Sequence, residues 1–458
     1  MKDIDLKRIF ESQRKFFYSN ATRDISFRIK KLKELKQEII INEKEIEEAL
    51  FLDLHKSPVE SYITEIGFVI SEINLCIKKL KSWSKPKRVS SSITCFPSKA
   101  RIISEPYGLC LIISPWNYPF QLLISPLIGA ISAGNCAIVK PSEHSPNTSK
   151  IIKKILDRVF EHEYVFTALG EKEVSQELLE LEFDYIFFTG SSSLGRLVME
   201  KASKHLTPTT LELGGKSPCI VEKDANIKVS AKRIAFGKFL NAGQTCIAPD
   251  YLFVHKDIKD VFVKEMINSI KEFYSEESIN SKDYGRIINQ THFFRLRKML
   301  DDGKIIYGAN YDEKEKYISP TLIENILPNS ELLSEEIFGP ILPIISFENI
   351  DTLIQELKVK PKPLALYVFS QSKKIQDKII ENISSGGVCV NDTIMHIVPQ
   401  SLPFGGVGNS GMGSYHGRKS FETFSHERSI LNRKTWLDLA LRYPPFTESK
   451  KKIVKKVL

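Results

Sequence analysis

Gly108-Leu-Cys-Leu-Ile-Ile-Ser114 is a short apolar run, and Cys136-Ala-Ile-Val-Lys140 is a second one, separated from it by a stretch of helical character. Short apolar runs of this length, bounded by turn residues, predict buried strands. A helix is predicted from Pro146, and two further strands are predicted at Tyr164–Leu169 and Tyr185–Thr189. Strands that alternate with helices at this spacing predict a parallel sheet with crossover helices.

A second alternating stretch follows between Pro218 and about Val390. Its predicted strands are Ser217–Val221, Tyr251–Val254, Leu364–Phe369 and Gly387–Asn391. The two sets predict two α/β lobes that face one another. Residues 1 to about 83 are predicted to be helical, with Asn42-Glu-Lys-Glu45 as a capping box. Residues 84–103 change to an alternating pattern that predicts an extended arm.

Composition places the chain among globular proteins of more than one domain. Its 458 residues exceed one ordinary core, and the hydrophobic share is 42% with 26% charged residues. The net charge of +9 is spread along the chain except for a basic C-terminal end. No module that combines basic and aromatic residues accompanies this charge, so we expect no nucleic-acid partner. A diffuse positive charge suits anionic cofactors or substrates.

The seven cysteines are odd in number, scattered, and without the spacing of metal ligands. They predict reduced thiols in a cytoplasmic protein that binds no metal. We recognise neither a secretory signal nor a membrane span. The longest apolar stretch, Leu122–Val139, is interrupted by Pro126, Gly129 and Gly134, and is better explained as a buried helix that runs into a buried strand.

Two residues suggest covalent chemistry. Cys246 lies among small and polar residues in Asn241-Ala-Gly-Gln-Thr-Cys246, and Glu212 lies upstream in Leu211-Glu-Leu-Gly-Gly-Lys216. A thiol can take a substrate carbon, and a carboxylate can activate the water that releases it. The turn Phe188-Thr-Gly190-Ser-Ser-Ser-Leu-Gly195 joins a strand to a helix and suits a pyrophosphate, although its spacing is not GxGxxG.

Seven motifs in one order resemble those of the NAD(P)-dependent aldehyde dehydrogenase superfamily. They are Ser114-Pro-Trp-Asn-Tyr-Pro119, Lys140-Pro-Ser-Glu143, Phe188-Thr-Gly-Ser191, Leu211-Glu-Leu-Gly-Gly-Lys-Ser217, Gly243-Gln-Thr-Cys246, Glu335-Glu-Ile-Phe-Gly-Pro340 and Pro403-Phe-Gly-Gly406. The resemblance spans about residues 20–430. The stretch from Phe404 to Gly417 is similar to the class 3 branch, which acts on medium-chain, long-chain and aromatic aldehydes. The reaction implied is NAD(P)-dependent oxidation of an aldehyde to the acid.

The resemblance implies catalytic roles for three residues. Cys246 would form a thiohemiacetal and then a thioester, Glu212 would activate the hydrolytic water, and Asn117 would help to hold the oxyanion. The alternatives are a buried structural thiol for Cys246, a salt-bridged surface carboxylate for Glu212 and a helix cap for Asn117. Tyr118 is a candidate contact for the aldehyde, with a packed aromatic ring as the alternative.

The resemblance also implies a nicotinamide cofactor. The residues that would bind it are Trp116, Lys140, Glu143, Gly190, Ser191, Gly195, Leu213, Glu336 and Phe338. Lys140 and Glu143 would hold the adenosine ribose, and Glu143 would favour NAD over NADP because a 2′-phosphate would meet its carboxylate. For Glu336 the alternative is a solvated acidic start of a helix.

The expected fold is therefore α/β, with a Rossmann-type cofactor domain (1–83 and 104–212), an α/β catalytic domain (213–410) and a β oligomerisation arm (84–103 and 411–430). The arm at 84–103 would pair with the segment after 411, and we expect this pairing to involve a partner subunit in a homodimer. The basic tail, 431–458, is expected to be solvated or packed on a partner, with weak contact to an anionic membrane surface as the alternative.

Two other functions stay open at this stage. A CoA-acylating reductase would use the same thioester but has no need of a base such as Glu212. A catalytically silent binding protein on the same fold would have no need of Cys246, Asn117, Glu212 and Glu336 together.

Overall fold

The structure is a computed structural model and describes residues 5–457. Its helices are α1 Leu6–Tyr18, α2 Ile25–Ile41, α3 Glu43–Leu54, α4 Pro58–Ser61, α5 Gly67–Trp83, α6 Gln121–Ala133, α7 Pro146–Val159, α8 Lys172–Leu179, α9 Ser192–Ser203, α10 Ile227–Phe239, α11 Lys259–Tyr274, α12 Gln290–Met299, α13 Glu331–Ser334, α14 Ile350–Leu357, α15 Lys373–Asn382, α16 Arg418–Thr423 and α17 Glu448–Val457. Its strands are β1 Lys87–Val89, β2 Ser98–Pro106, β3 Leu109–Ile113, β4 Cys136–Lys140, β5 Val165–Thr167, β6 Tyr185–Gly190, β7 Thr209–Leu213, β8 Pro218–Val221, β9 Tyr251–His255, β10 Lys304–Tyr307, β11 Tyr311–Asp312, β12 Tyr317–Ile318, β13 Thr321–Glu324, β14 Ile341–Phe347, β15 Ala365–Phe369, β16 Gly387–Val390, β17 Gly411–Met412 and β18 Ser425–Arg433.

The first sheet has six strands in the order β17-β7-β6-β3-β4-β5. Strands β3 to β7 are parallel, and the short β17 pairs antiparallel with β7. The chain builds outward from β3 through β4 to β5, and then returns to β6 on the other side of β3. In an open α/β sheet, ligands bind at the carboxyl ends of the strands where the order reverses. This places a binding crevice beside the ends of β3 and β6.

The second sheet has seven strands in the order β10-β13-β14-β9-β8-β15-β16. All of its neighbours are parallel except β10 and β13. The chain passes from β7 of the first sheet to β8 of the second through Gly214 and Gly215. The second sheet therefore begins where the first sheet ends, and the α/β architecture predicted from the sequence is confirmed.

Of the N-terminal helices, α1 packs on β3 and β4, whereas α2, α3 and α5 pack on α6 and α7. The Gln13 side chain of α1 donates to the carbonyls of Ala137 and His162 at 3.0 Å each. The predicted boundary at Asn42 is correct, since α2 ends at Ile41 and α3 begins at Glu43. The predicted capping box is wrong: the Asn42 side chain makes no cap to α3 and donates instead to the Glu38 carbonyl, 2.7 Å away at the end of α2.

Strands β1, β2 and β18 form a separate antiparallel sheet that we call the arm. In β18, Ser425–Arg433 pairs with Ser98–Pro106 of the same chain, so this pairing does not need a partner subunit. The strands also exceed the ranges we expected, because β2 continues to Pro106 and β18 includes residues assigned to the tail. The start of the second expected arm segment, at Gly411, instead belongs to the six-stranded sheet as β17. The division into domains stays a prediction.

The apolar stretch Leu122–Val139 forms most of α6 and of β4, and both elements are buried. Among residues 5–457, no helix combines the length and the apolar character needed to cross a membrane.

Candidate active site

A cavity of about 950 Å³ opens at the carboxyl ends of β3, β4, β6 and β7. Its walls include most of the residues predicted from the sequence: Trp116, Asn117, Lys140, Glu143, Gly190, Ser191, Glu212, Leu213, Cys246, Glu336 and Phe338. Gly195 and Tyr118 are not among the lining residues. The cavity therefore brings together side chains from both sheets, as expected for a site between two lobes.

Cys246 lies in the loop between α10 and β9. Three consecutive residues before it, Asn241, Ala242 and Gly243, have positive φ values of 53°, 51° and 74°. The first two carry side chains, for which this left-handed conformation is sparsely populated and must be imposed by the surroundings. We call Asn241–Cys246 the nucleophile loop. Gln244 fixes its middle, since the side chain accepts from Ile288 N at 3.0 Å and donates to the Arg286 carbonyl at 2.9 Å.

Cys246 is half-buried and faces the cavity. Burial, reinforced by the nearby carboxyls of Glu336 and Glu212, raises the pKa of its thiol, while the backbone N–H groups of Cys246 and Ile247 act in the opposite direction. The resting side chain is therefore a thiol. To become a nucleophile it must lose its proton to a neighbouring base.

Glu212 lies near the end of β7, paired with Thr189 of β6 and with Gly411 of β17. The side chain is buried, and neither carboxyl oxygen has a hydrogen-bond partner among the described residues. Burial raises the pKa of Glu212 well above its ordinary value. A carboxyl with raised proton affinity and two unused oxygens is suited to act as a base.

Asn117 follows β3 and lies against the nucleophile loop. Its side-chain N–H donates to the Gln244 carbonyl at 3.0 Å, and its Oδ1 is buried without a partner among residues 5–457. The amide has two N–H bonds, so a second donor remains for a ligand. The helix-cap alternative does not apply, because α6 begins at Gln121 and its N-cap is Phe120.

Tyr118 does not have the substrate-facing position that we expected. Its ring is buried beneath the nucleophile loop, and its hydroxyl lies 2.6 Å from Thr245 Oγ1. The Lys56 ammonium lies 4.0 Å from the ring centroid, a cation–π geometry. Trp116 lines the cavity, whereas Tyr118, two residues later, does not.

Lys140 and Glu143 come together where β4 ends. The Lys140 ammonium donates to the Glu143 carboxylate at 3.1 Å and to the Pro141 carbonyl at 2.9 Å. Burial acts to raise the pKa of Glu143, but the backbone N–H of Glu143 and the Lys140 ammonium outweigh it and hold the pKa below its ordinary value. An ionised carboxylate and a buried ammonium thus face the same part of the cavity.

Gly190 and Ser191 connect β6 to α9 at the cavity wall. The Ser191 hydroxyl caps α9 by accepting from Leu194 N at 3.4 Å. A Cβ on Gly195 would lie 2.6 Å from Leu213 Cδ2, so glycine allows α9 to approach β7. Gly195 therefore packs the helix instead of lining the cavity, and the helix N-terminus is left open toward it.

Glu336 and Phe338 lie in a loop that three charged side chains hold in place. Asp250 accepts from Ile337 N at 2.9 Å and pairs with Lys216, and Arg295 donates to the carbonyls of Glu336 and Ile337. Burial and the nearby Asp250 raise the pKa of Glu336 to about 8. Its carboxyl packs directly on the Gly214 backbone, where a Cβ would lie 1.9 Å from Oε2.

An aromatic group borders the same region. The rings of Trp116 and Phe338 meet edge to face at 5.3 Å, and His292 lies 5.0 Å from Trp116. Burial and the adjacent Arg295 lower the pKa of His292 to about 4, so its ring is neutral at pH 7.

Sequence reasoning missed several residues of this site. Lys216 was visible within a motif, but its partner Asp250 is distant in sequence. Arg295 and His292 lie on α12, where nothing in the local pattern distinguishes them from surface residues. Phe404 and Tyr415 were quoted only as parts of motifs, and both reach the cavity. Among residues 5–457, no group of three or more His, Cys, Asp or Glu side chains could hold a metal ion.

Comparisons with known proteins agree with this geometry. The model of the "Aldehyde dehydrogenase family" matches residues 2–430. A curated relative from Staphylococcus aureus, 4,4'-diaponeurosporen-aldehyde dehydrogenase, is 47% identical over 95% of this chain and 96% of its own. A rat enzyme described as aldehyde dehydrogenase, dimeric NADP-preferring, is 45% identical over 94% of this chain and 96% of its own. The solved "Substrate bound state of Staphylococcus Aureus AldH" superimposes with a TM-score of 0.97 at 46% identity and covers 99% of both chains.

Proposed function

Because the chain belongs to the aldehyde dehydrogenase family, and so oxidises aldehydes with NAD or NADP, we propose that its substrates are medium- or long-chain aliphatic or aromatic aldehydes. The observation that carries the proposal is the meeting of Cys246, Glu212 and an apolar wall in one cavity. That wall includes Leu122, Phe404 and Tyr415. An apolar wall favours aldehydes with apolar chains or rings.

Cys246 is the proposed nucleophile. After its proton has passed to a base, the sulfur attacks the aldehyde carbon and the carbonyl oxygen becomes an oxyanion. The free side-chain N–H of Asn117 and the backbone N–H of Cys246 are the donors proposed for this oxyanion. Loss of hydride then converts the thiohemiacetal to a thioester on Cys246.

Glu212 is the proposed base for the hydrolytic step. Its raised pKa gives its carboxylate a high affinity for a proton, and its unpaired oxygens can each accept from a water. That water attacks the thioester and releases the carboxylic acid and the thiol. Glu212 can also accept the proton of Cys246 at the start of the cycle.

The residues at the cavity fit a nicotinamide dinucleotide. The open N-terminus of α9 suits a pyrophosphate, Lys140 and Glu143 suit ribose hydroxyls, and the buried unpaired Oε1 of Glu336 suits a second ribose. When bound, the cofactor supplies the hydride acceptor. Trp116, Leu213 and Phe338 would then exclude water from the reacting carbon.

For the cofactor, NAD or NADP, we propose a modest preference for NAD. The ionised Glu143 carboxylate would repel a 2′-phosphate, whereas Lys140 beside it would attract one. The preference is tested by kcat/KM with each cofactor. Equal values would refute it.

A panel of purified aldehydes tests the substrate class. We expect kcat/KM to rise from acetaldehyde to medium and long straight chains, with benzaldehyde also accepted. A preference for short or charged aldehydes would contradict the proposal. Assays with and without CoA distinguish hydrolysis from acyl transfer, and hydrolysis predicts that reduced cofactor forms equally fast without CoA.

Cys246→Ser tests the nucleophile. We expect kcat for aldehyde oxidation to fall at least about a thousandfold, because an alkoxide is far harder to generate than a thiolate. Cys219→Ser is the matched control, since Cys219 is buried in β8 and does not line the cavity. Retention of full activity by Cys246→Ser would refute the assignment of the nucleophile. The silent binding protein would instead be favoured if the wild-type protein oxidised none of the aldehydes.

We also propose a cytoplasmic homodimer. The seven cysteines are all unpaired, which suits a reducing compartment, and the arm leaves β18 at a sheet edge. The tail helix α17 combines Lys450, Lys451, Lys452, Lys455 and Lys456 with an exposed Ile453. We propose that the tail is solvated or packs on the partner subunit. If vesicle co-sedimentation were lost on deletion of residues 448–458, membrane contact would replace this proposal.

A further inference from the structure

Three charged side chains lie buried beneath the nucleophile loop and have no part in the chemistry described above. Lys56, Glu60 and Glu65 come from the segment that joins α3 to α5, and their exposed fractions are 0%, 6% and 0%. Burial of charge is unfavourable unless each group is paired and hydrogen-bonded. Their hydrogen bonds therefore indicate what these groups hold.

Lys56 and Glu65 hold the segment that carries Asn117. The Lys56 ammonium lies 2.5 Å from Glu65 Oε1 and donates to the Asn117 carbonyl at 3.0 Å. Glu65 Oε2 accepts from the backbone N–H groups of Phe120 and Gln121 at 2.9 and 3.2 Å. The backbone is thus fixed at Asn117 itself and again three residues later.

Glu60 holds the other side of the site. Its Oε1 accepts from Asn241 N at 2.9 Å, at the first residue of the left-handed turn in the nucleophile loop. The Asn241 side chain donates in turn to the carbonyls of Asn117 and Gln244 at 2.8 and 3.2 Å. Asn241 therefore connects Glu60 to both the oxyanion side and the nucleophile side.

We propose that Glu60 is a positioning residue, whose carboxyl fixes the left-handed turn at Asn241 and so aims Cys246 at the cavity. Glu60 does not line the cavity and acts only through the loop. Lys56 and Glu65 complete the same scaffold by fixing Asn117. The inference rests on Cys246 as the nucleophile in the proposed function.

The surroundings of Glu60 set the pH at which its hydrogen bond with Asn241 N–H becomes stronger. Burial raises the pKa of Glu60 to about 7, against the opposing effects of the Lys56 ammonium and of Asn241 N–H. Glu65 and Asp283 add negative charge, and the Tyr118 and Tyr274 hydroxyls also face the group. Burial raises the pKa of both tyrosines, so neither ionises between about pH 6 and 9.

Glu60→Gln tests the proposal through a pH profile. Below about pH 7 the wild-type carboxyl is neutral and accepts a hydrogen bond much as a glutamine amide would. Above it, the ionised carboxylate accepts a stronger, charge-assisted bond. We expect the ratio of wild-type to variant kcat to rise from about one to about threefold to tenfold as pH increases through 7. The ratio cancels titrations that both proteins share, including those of Glu212 and Glu336.

Glu60→Ala tests whether the hydrogen bond between Glu60 and Asn241 positions Cys246, through a measurement that does not require catalytic turnover. Alkylation of Cys246 by iodoacetamide is followed by peptide mass spectrometry, with the partly exposed Cys95 as the internal reference. Without an acceptor for Asn241 N–H, the turn relaxes and the backbone N–H groups no longer stabilise the Cys246 thiolate. We expect alkylation of Cys246 relative to Cys95 to slow about tenfold, with KM for the cofactor unchanged.

Glu222→Gln is the matched control. Glu222 is a buried glutamate that directly follows β8 and lies outside the cavity. A flat wild-type to Glu60→Gln ratio, like that of Glu222→Gln, would overturn the proposal. Unchanged alkylation in Glu60→Ala would do the same. If Glu60→Ala fails to fold, the isosteric Glu60→Gln decides alone. Activity retained by Cys246→Ser would instead be a failure of the proposed function.

Discussion

At the scale of single residues, the site depends on carboxyls whose proton affinity is set by burial. Glu212 and Glu336 both have raised pKa values, and both act on the pKa of Cys246. Burial makes Glu212 a stronger base, and the carboxyls of Glu336 and Glu212 make Cys246 a weaker acid. Proton transfer from Cys246 to its base therefore has to be coupled to substrate binding. The oxyanion that then develops, and the N–H groups that donate to it, change the relative proton affinities of the two groups.

Glu212→Gln tests whether Cys246 forms the thioester while Glu212 serves chiefly in its hydrolysis. Loss of a general base costs about 10²- to 10⁴-fold, and we expect a loss of that order in steady-state kcat. We also expect a burst of reduced cofactor equal to the number of sites, because the thioester still forms when another base takes the thiol proton. Stopped-flow absorbance measures both.

The pH dependence of the hydrolytic step follows from the same residue. Only the ionised Glu212 carboxylate accepts a proton, and its pKa is raised, so wild-type hydrolysis slows as pH falls through that raised value. This acidic limb should disappear in Glu212→Gln. A variant with wild-type kcat and no burst would contradict the assignment.

The residues that were recognised from sequence share one property, which is a local motif. Cys246 lies among small and polar residues, and Glu212 lies two residues before the glycine pair Gly214-Gly215, and each pattern is visible in one chain segment. Glu60, Lys56 and Arg295 were not recognised, because their partners lie far away in the sequence. A buried charged residue whose hydrogen-bond partners are distant in sequence has no signal within its own segment. Tyr118 shows the converse error, since neighbouring a cavity residue does not place a side chain in the cavity.

At the scale of elements, several strands and helices with strong apolar patterns were predicted to within a residue or two, although the apolar strand β14 was missed. The helix α7 and the strands β4 and β8 are examples. The strand β7, which carries Glu212, was not predicted, because its alternating Thr209-Thr-Leu-Glu-Leu213 pattern ends in two glycines. Asn42 shows why a capping motif can mislead. Its side-chain amide could accept from a backbone N–H of α3 or donate to a carbonyl at the end of α2, and it donates to the Glu38 carbonyl.

The segment between α3 and α5 provides a stability prediction. Lys56→Met removes the ammonium from a pair in which both side chains are fully buried, and leaves the Glu65 carboxyl without its ion partner. We expect a loss of about 3–5 kcal/mol in the free energy of unfolding. Thermal and urea unfolding, followed by circular dichroism, measure the loss.

Lys154→Met is the matched control for that experiment. Its ammonium pairs with Glu45 at 2.5 Å, but both side chains of this pair are partly exposed. Exposed ion pairs contribute little to stability, so the melting temperature should hardly change. If the two variants unfolded alike, the Lys56–Glu65 pair would not anchor the segment.

At the scale of the whole molecule, the arm is the surface at which the proposed dimer can be tested. Strand β18 lies at the edge of its sheet and carries an exposed Leu431, and Phe96 and Trp436 meet beside it at 6.3 Å. Leu431→Asp should weaken self-association at least about tenfold, because a charge would be buried in the interface. Sedimentation equilibrium measures the dissociation constant.

Leu327→Asp is the control for the arm, since Leu327 and Leu431 are both 54% exposed and Leu327 lies in the loop before α13. This variant should associate like the wild type. A wild-type dissociation constant for Leu431→Asp, or a monomeric parent protein, would refute the proposed dimer.

The position of β17 has a consequence for synthesis on the ribosome. The seven-stranded sheet is inserted between β7 and β17, two adjacent strands of the six-stranded sheet. The six-stranded sheet therefore begins to emerge first but is completed after the seven-stranded sheet, since β17 can pair with β7 only when residues 411 and 412 have left the ribosome. Until then β7, with Glu212, is an open sheet edge of the kind that chaperones protect and that aggregates recruit. Premature termination before Gly411 would leave the nascent protein permanently in that state.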